Sequence, residues 1–395
     1  MNVLSFDHIN YICYDINLLG GFMSRIILPL DIDKRNLIYN DDTLKPIMEE
    51  LEYYISDMKY INTLKFSKDV LFSHELQANN SVEGYNDDVE TILEVINNVS
   101  NIKDPKKKQR IINLYKGYCY IMQGEEINQD SLRKLYSILS KELLSTTDLF
   151  NMGEYYRKNP VYIYWSSRAD KEPDQGISSN LLYECMQQLI DYINTNNNLS
   201  KTELFIKSQI IHFYFVYIHP YYDINGRTSR TMSLWYLLNH KNYPFIIFNR
   251  AITLYKNEYY KVIRQSKTYK NITFFLKYML DNTQIELEKD YVMNMIKESS
   301  SYHLTSTDYQ TLHYILSMKG QLTYLDFIRF YTLQNEHKKP LEIYNDMLLP
   351  LLNNGILLEG RPTKKRISGL GYNRTFSLNP YYYDQDPNKI KHLIK

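Results

Sequence analysis

Residues 219–230 read His-Pro-Tyr-Tyr-Asp-Ile-Asn-Gly-Arg-Thr-Ser-Arg, placing a histidine, a carboxylate and two arginines in one short run. Each type suits one step of phosphate chemistry. His219 carries the side chain whose ordinary pKa lies nearest neutrality, so it can take a proton from a hydroxyl. Asp223 offers oxygen to a hard cation. Arg227 and Arg230 stand three apart, on one side of a helix, and can both grip an anion with planar forks. Upstream, residues 210–218 form an apolar helical run. Pro220 disfavours the α conformation at His219, so that helix should end there with the imidazole at a loop mouth. Asn225-Gly226 is a turn pair that tolerates positive φ and leaves amides uncovered. Helical patterning resumes at about Thr228. A loop feeding a helix N-terminus is a natural phosphate site, through unpaired amides and the macrodipole.

This run resembles the core motif of the Fic-domain family, HPFxxGNGRxxR, with Tyr221 for the Phe and Ile224 where Gly is usual. A β-branched residue is strained at positive φ, so Ile224 points to a phosphate loop of ordinary negative φ. The resemblance implies transfer of AMP from ATP to a Ser, Thr or Tyr hydroxyl of a protein, self-modification included. His219 would be the catalytic base. Asp223 would hold Mg²⁺ against the α- and β-phosphates. The amides around Asn225 and Gly226, with the Asn225 side chain, would cradle the α-phosphate. Arg227 would hold the β-phosphate and Arg230 the γ-phosphate.

Residues 68–84 read as a helix closed by Gly84. Its end, Ser81-Val82-Glu83-Gly84, resembles the inhibitory motif of Fic proteins, (S/T)xxxE(G/N). The resemblance implies that Glu83 pairs with Arg230 and occupies the γ-phosphate site. Asn79 stands where Ser or Thr is usual, which points to a loosely held inhibitory helix. Taken alone, a helix-terminal glutamate is normally solvated.

Residues 156–165 are aromatic and β-branched, with Val161 and Ile163 alternating against Tyr162 and Tyr164. They resemble the family's flap, a short hairpin able to bind an extended target segment through Val161, Tyr162 and Ile163 by strand addition. Pro160 suits an edge. A hairpin that merely covers the core is the competing reading.

The 395 residues leave room for two or three domains, and 46 basic against 45 acidic residues give a formal net charge of +1. That balance favours neither nucleic acid nor membrane. The 39 tyrosines point to composition bias rather than to a binding code. Cys13, Cys119 and Cys185 show no disulfide or metal spacing, which suits a reducing cytoplasm. No secretory signal or apolar membrane stretch is visible. The expected class is mainly α: an all-helical Fic fold with a short β-hairpin flap and a winged-helix-like C-terminal domain. Its regions are a helical 1–110 containing the inhibitory helix, a Fic core at 111–300, and the C-terminal domain at 301–395. There is no GxxxxGK[ST] loop, and His74-Glu75 lacks the second histidine of a zinc-protease helix. His212 reads as a packed core residue.

In 301–395, a capping box at Thr307 and Gln310, a cap at Thr323 and a helix over 341–352 precede a hairpin. Its strands are expected at 356–358 and 375–378, joined through the basic run 361–366. Such a module could reach DNA through its third helix and the wing Lys364-Lys365-Arg366. Glu342 and Asp346 on that helix favour protein interaction or a homodimer instead. The leading reading is an autoinhibited AMP transferase. The alternatives are a DNA-binding regulator whose Fic core only senses nucleotide, and an enzyme that mainly removes AMP.

Overall fold

The computed structural model describes residues 25–27, 38–56, 68–99, 102–164, 173–195, 198–241, 243, 249–253, 255–318, 320–334, 339–367, 371–383 and 390–394. It is mainly helical, as the patterning predicts. In chain order come β1 (Arg25–Ile27), β2 (Ile38–Asn40), α1 (Asp41–Ser56), α2 (Lys68–Val82), α3 (Val89–Ile96) and α4 (Pro105–Ile121). Next are α5 (Gln129–Ser140), α6 (Thr146–Asn151), the pair β3 (Tyr162–Ile163) and β4 (Asp174–Gln175), α7 (Leu182–Asn194), α8 (Lys201–Ile218) and α9 (Asn225–Leu238). Then follow α10 (Arg250–Thr253), α11 (Lys256–Tyr269) and the long α12 (Thr273–Ser299). The C-terminal part holds α13 (Ser306–Ser317), β5 (Gln321–Thr323), α14 (Tyr324–Gln334), α15 (Pro340–Ile343), a π turn at Tyr344–Leu348, α16 (Leu349–Asn353), β6 (Leu357–Ile367), β7 (Gly371–Leu378) and α17 (Lys391–Ile394).

Two apolar cores organise these elements. One runs from Leu44 in α1 to Leu287 in α12; the other runs from Tyr291 in α12 to Leu393. Residue 110 lies inside α4, and α1 to α3 bury their apolar faces in the same core as α8 and α9. Packing therefore places no division there. The second division, drawn at residue 300, follows the end of α12, yet the last turns of that helix already belong to the second core.

The N-terminal pair β1–β2 is antiparallel and has no counterpart in the sequence reading. In the C-terminal part, β5, β7 and β6 form one antiparallel sheet in that order. β6 is longer than expected: the basic run 361–366 lies within the strand rather than in the turn, and β5 was not foreseen. The capping box falls two residues earlier, on Thr305 and Asp308, because Asp308 can receive the Thr305 amide while its own amide meets Thr305 Oγ1. Thr323 does cap, accepting from the Asp326 amide at 3.2 Å.

A buried ionic cluster joins the cores. Arg250 of α10 grips Asp290 of α12 with both carboxylate oxygens, at 2.9 and 3.0 Å, and donates to Tyr309 of α13 at 3.2 Å. Glu286 pairs with Lys289 at 2.5 Å and His313 at 2.6 Å. Removing one partner from such a set leaves an uncompensated buried charge. Arg250→Met should therefore cost about 3–5 kcal/mol, read as a lower urea midpoint at unchanged slope. A shift below about 1 kcal/mol would show that solvent already screens the cluster.

Candidate active site

α8 begins with a capping box, Ser200 with Glu203, and from Leu204 to Ile218 it is buried on every side. A helix apolar all round belongs in a core, and this one delivers His219 from inside the fold. The helix ends at His219 as expected, but in the left-handed conformation (φ 54°, ψ 61°) rather than an extended one. Pro220 bars right-handed helix at His219, yet the His219 amide still bonds to Phe215 O at 3.0 Å, which a left-handed cap permits. Nδ1 lies 3.3 Å from Val216 O. That contact makes Nδ1 the donor and leaves Nε2 free to accept a proton. Burial lowers the His219 pKa to about 4; the Val216 hydrogen bond opposes this, and the charges of Arg157 and Lys267 add to it. The imidazole is neutral at pH 7.

The loop is held by Tyr221, which is fully buried and stacks on Tyr136 with ring centroids 3.5 Å apart. Asn225 closes it: its Oδ1 accepts from the Tyr221 amide at 3.0 Å and its Nδ2 donates to Tyr221 O at 2.8 Å. The Asn225 side chain is thus taken up by the loop, and does not face a phosphate as expected. Ile224 has φ 66°, against the expected negative φ. Left-handed backbone costs such a residue about 1–2 kcal/mol. Its side chain is 3% exposed, and burying an isoleucine is worth about 1.5–3 kcal/mol, which outweighs the strain. Asn225-Gly226 is consequently not a turn. α9 starts at Asn225, three residues before the expected Thr228, because the left-handed residue lies at Ile224. Asp223 sits exposed on the rim, with Oδ1 accepting from the Ile224 amide at 2.6 Å.

The first bond of α9 runs from Thr228 N to Ile224 O, so the amides of Asn225, Gly226 and Arg227 precede the helical ladder. Over them lies a carboxylate. A Cβ built on Gly226 would meet Glu83 Oε1 at 2.5 Å, so only glycine admits this approach. Glu83 Oε1 is 2.6 Å from Arg230 Nη2, with the arginine side chain 1% exposed and the glutamate side chain 31%. Burial alone would raise the Glu83 pKa, but the charge and hydrogen bond of Arg230, then Arg227 and Lys256, hold it below the ordinary value. Arg227 is buried without an ion pair, and its Nε has no partner among the described residues. An anion would satisfy it.

Glu83 is aimed by the end of α2. Tyr85 N bonds to Asn80 O at 3.1 Å and Gly84 N to Ser81 O at 3.0 Å, while Gly84 takes φ 89°. This is a Schellman ending, which fixes Glu83 as the last capping residue. Asn79, expected to loosen the helix, instead secures it. It is fully buried; its Oδ1 accepts from Arg230 Nε at 2.8 Å, its main-chain O from Nη2 at 3.3 Å, and its Nδ2 donates to Tyr118 at 2.9 Å. The amide meets the two partners with separate atoms, one accepting and one donating.

The flap forms a two-residue antiparallel pair, Tyr162 with Gln175 and Ile163 with Asp174. Ile163 is buried while Tyr162 and Tyr164 are exposed, and Val161 is half-buried. Residues 165–172 of the expected flap lie outside the described residues. Sequence reading passed over Arg157, which is buried at the flap base and donates from Nε to His219 O at 2.9 Å. A polar residue ahead of an aromatic strand was its one signal.

Residues 126–237 match the family model described as Fic/DOC family. That stretch is similar to a Fic domain. Among solved structures, a Fic family protein from Desulfovibrio desulfuricans G20 is similar at a TM-score of 0.52 and 18% identity, covering 85% of this chain and 94% of its own. Fic-1 of C. elegans (residues 134–508) gives 0.48 at 14% identity, covering 66% and 76%. A Fic domain containing signalling protein from Bacteroides thetaiotaomicron gives 0.46 at 18%, covering 60% and 97%. The first of these likenesses supports the fold.

The matched Fic segment spans α5 to α9, with the flap and the loop, while Glu83 enters from α2 outside it. Fic domains generally transfer a nucleoside monophosphate to proteins. Among the described residues no group of three or more His, Cys, Asp or Glu side chains could hold a metal ion. One rim carboxylate, Asp223, fits magnesium, which takes most of its ligands from phosphates and water. No helix of the described residues is long and apolar enough to cross a membrane. Asn79→Ala should leave Arg230 Nε buried without an acceptor, at a cost of about 1–3 kcal/mol in urea unfolding. A neutral result would mean that water replaces the amide.

Proposed function

We propose that this chain transfers AMP from ATP to a protein hydroxyl and is restrained by its own Glu83. The observation that carries the reading is the Glu83 carboxylate seated over Gly226 and on Arg230, an anion already resting in an anion site. A triphosphate would compete for the same donors. The adenine nucleotide itself is inferred from the Fic resemblance.

In this reading His219 Nε2 takes the proton of a Ser, Thr or Tyr hydroxyl. The hydroxyl oxygen bonds to the α-phosphorus as the bond to the β-phosphate oxygen breaks, and pyrophosphate departs. The free amides of Asn225, Gly226 and Arg227 face the charge that develops on the α-phosphate. Arg227 supplies an unsatisfied donor for the leaving group, and Arg230 receives the γ-phosphate once Glu83 yields. Magnesium, held by Asp223 and the phosphates, would neutralise charge on the nucleotide. The flap edge beside Tyr162 would align the target segment by backbone bonds.

Glu83→Gly should raise labelling of protein from α-³²P-ATP about tenfold or more, which needs only about 1.4 kcal/mol of net release. Arg230→Ala added to it should abolish the gain. No rise in a folded Glu83→Gly protein removes inhibition by this residue. His219→Ala should end labelling while ATP binding persists; labelling at the parent rate would discard the base assignment.

The pH profile is a separate check. A pKa near 4 keeps His219 deprotonated well below the ordinary histidine value of about 6.5. The acid limb of kcat/KM should therefore lie far below pH 6, and in Glu83→Gly it should move no higher, since the lost carboxylate had raised that pKa. A limb at about 6.5 would show an ordinary, solvated imidazole.

A further inference from the structure

Arg157 is 2% exposed and makes no salt bridge to a carboxylate among the described residues. All three guanidinium nitrogens donate to main-chain carbonyls: Nε to His219 at 2.9 Å, Nη1 to Asn159 at 2.8 Å, and Nη2 to Ile177. Its own amide donates to Pro220 O at 3.0 Å. These carbonyls belong to the rising limb of the flap, its returning limb, and the left-handed cap of α8. Burying a cation against carbonyls alone is unfavourable unless every donor is met, and here every nitrogen is. Burial lowers its pKa to about 10, which leaves it charged at neutrality.

The packing around this guanidinium is tight. A Cβ on Gly176 would stand 2.9 Å from Arg157 Nη2, 2.8 Å from Val161 Cγ1 and 3.2 Å from His219 Cβ. Gly176 N also bonds to Val161 O at 3.1 Å, and Ile177 N to Ile218 O at 3.2 Å. The flap base and the histidine backbone thus meet around one side chain.

We propose that Arg157 is a positioning residue for group transfer: its fork holds the His219 backbone and the flap edge in fixed register, so the base meets the incoming hydroxyl. The role rests on His219 being the base. A base must come within about 2.6–3.2 Å of the proton it takes. Misplacement by about 1 Å can cost about 10² in rate. A lysine, a point charge with no planar fork, cannot reach three carbonyls in these directions.

The test uses the Glu83→Gly protein as parent, with Arg157→Lys and Gly176→Ala added separately. Both should lower kcat for labelling about 10²-fold while the KM for ATP stays within about twofold, because Arg157 faces the flap and not the nucleotide. A kcat retained in Arg157→Lys, or a loss that falls on ATP affinity, overturns the proposal. Should Arg157→Lys not fold, Gly176→Ala decides by the same criterion. The ¹⁵N spectrum of His219 supplies a readout without turnover. Its tautomer balance or titration should change in Arg157→Lys although the positive charge remains. If the parent transfers no AMP, the proposed function fails by itself, and an unchanged His219 spectrum then overturns the role of Arg157 separately.

Discussion

A guanidinium sealed in an apolar interior governs this architecture. Arg230 is 1% exposed, between helices whose other faces carry leucine, phenylalanine and tryptophan. Water cannot solvate it there, so protein atoms or a ligand must, and an unpaired buried charge would destabilise the fold by several kcal/mol. Asn79 and Glu83 meet that need from α2. This explains why α2 buries polar residues beside its apolar ones: Ser73, His74, Glu75, Asn79 and Asn80 all lie inside. The helix docks by hydrogen bonds to an arginine and its neighbours as well as by Phe72, Leu76 and Val82. Glu75 shows the strain of this arrangement, for burial raises its pKa to about 8 against hydrogen bonds from Asn249 and Tyr118. It is a neutral acid near pH 7, at one end of a polar chain that runs through Tyr118 and Asn79 to Arg230.

The same geometry makes the site intelligible as a competition. The amides at the start of α9 and the arginines behind them form a positive pocket whatever fills it. Gly226 leaves room for an oxygen directly against the helix backbone, and in this structure the oxygen belongs to Glu83. The proposed restraint and the proposed transfer would therefore draw on one set of donors.

Much of this was legible in the chain itself. The spacing from His219 to Arg230 places a histidine, a rim carboxylate and two arginines along the loop and α9, and Gly84 marks the turn that aims Glu83. What was hidden depends on partners far away in sequence. Asn79 departs from the family pattern, yet its amide reaches Arg230, 151 residues on, and Tyr118. Ile224 was expected to avoid positive φ, because backbone preference is local; burial of its side chain outweighs that preference. The start of α9 was placed three residues late, since Asn-Gly resembles a turn until the left-handed residue before it is known. Arg157 lies 62 residues from His219, and its one local signal, a polar residue ahead of an aromatic strand, says nothing of that partner.

The helix Thr273–Ser299 has a consequence for how the molecule comes apart. It is one uninterrupted rod, about 40 Å long, whose first turns are buried in one core and whose last turns are buried in the other. Neither core is complete without its share of the rod, and Arg250, Asp290 and Tyr309 lock the join. The two halves are accordingly not beads on a tether. Melting either one strips packing from the helix that both share, so the loss of one core weakens the other through that rod.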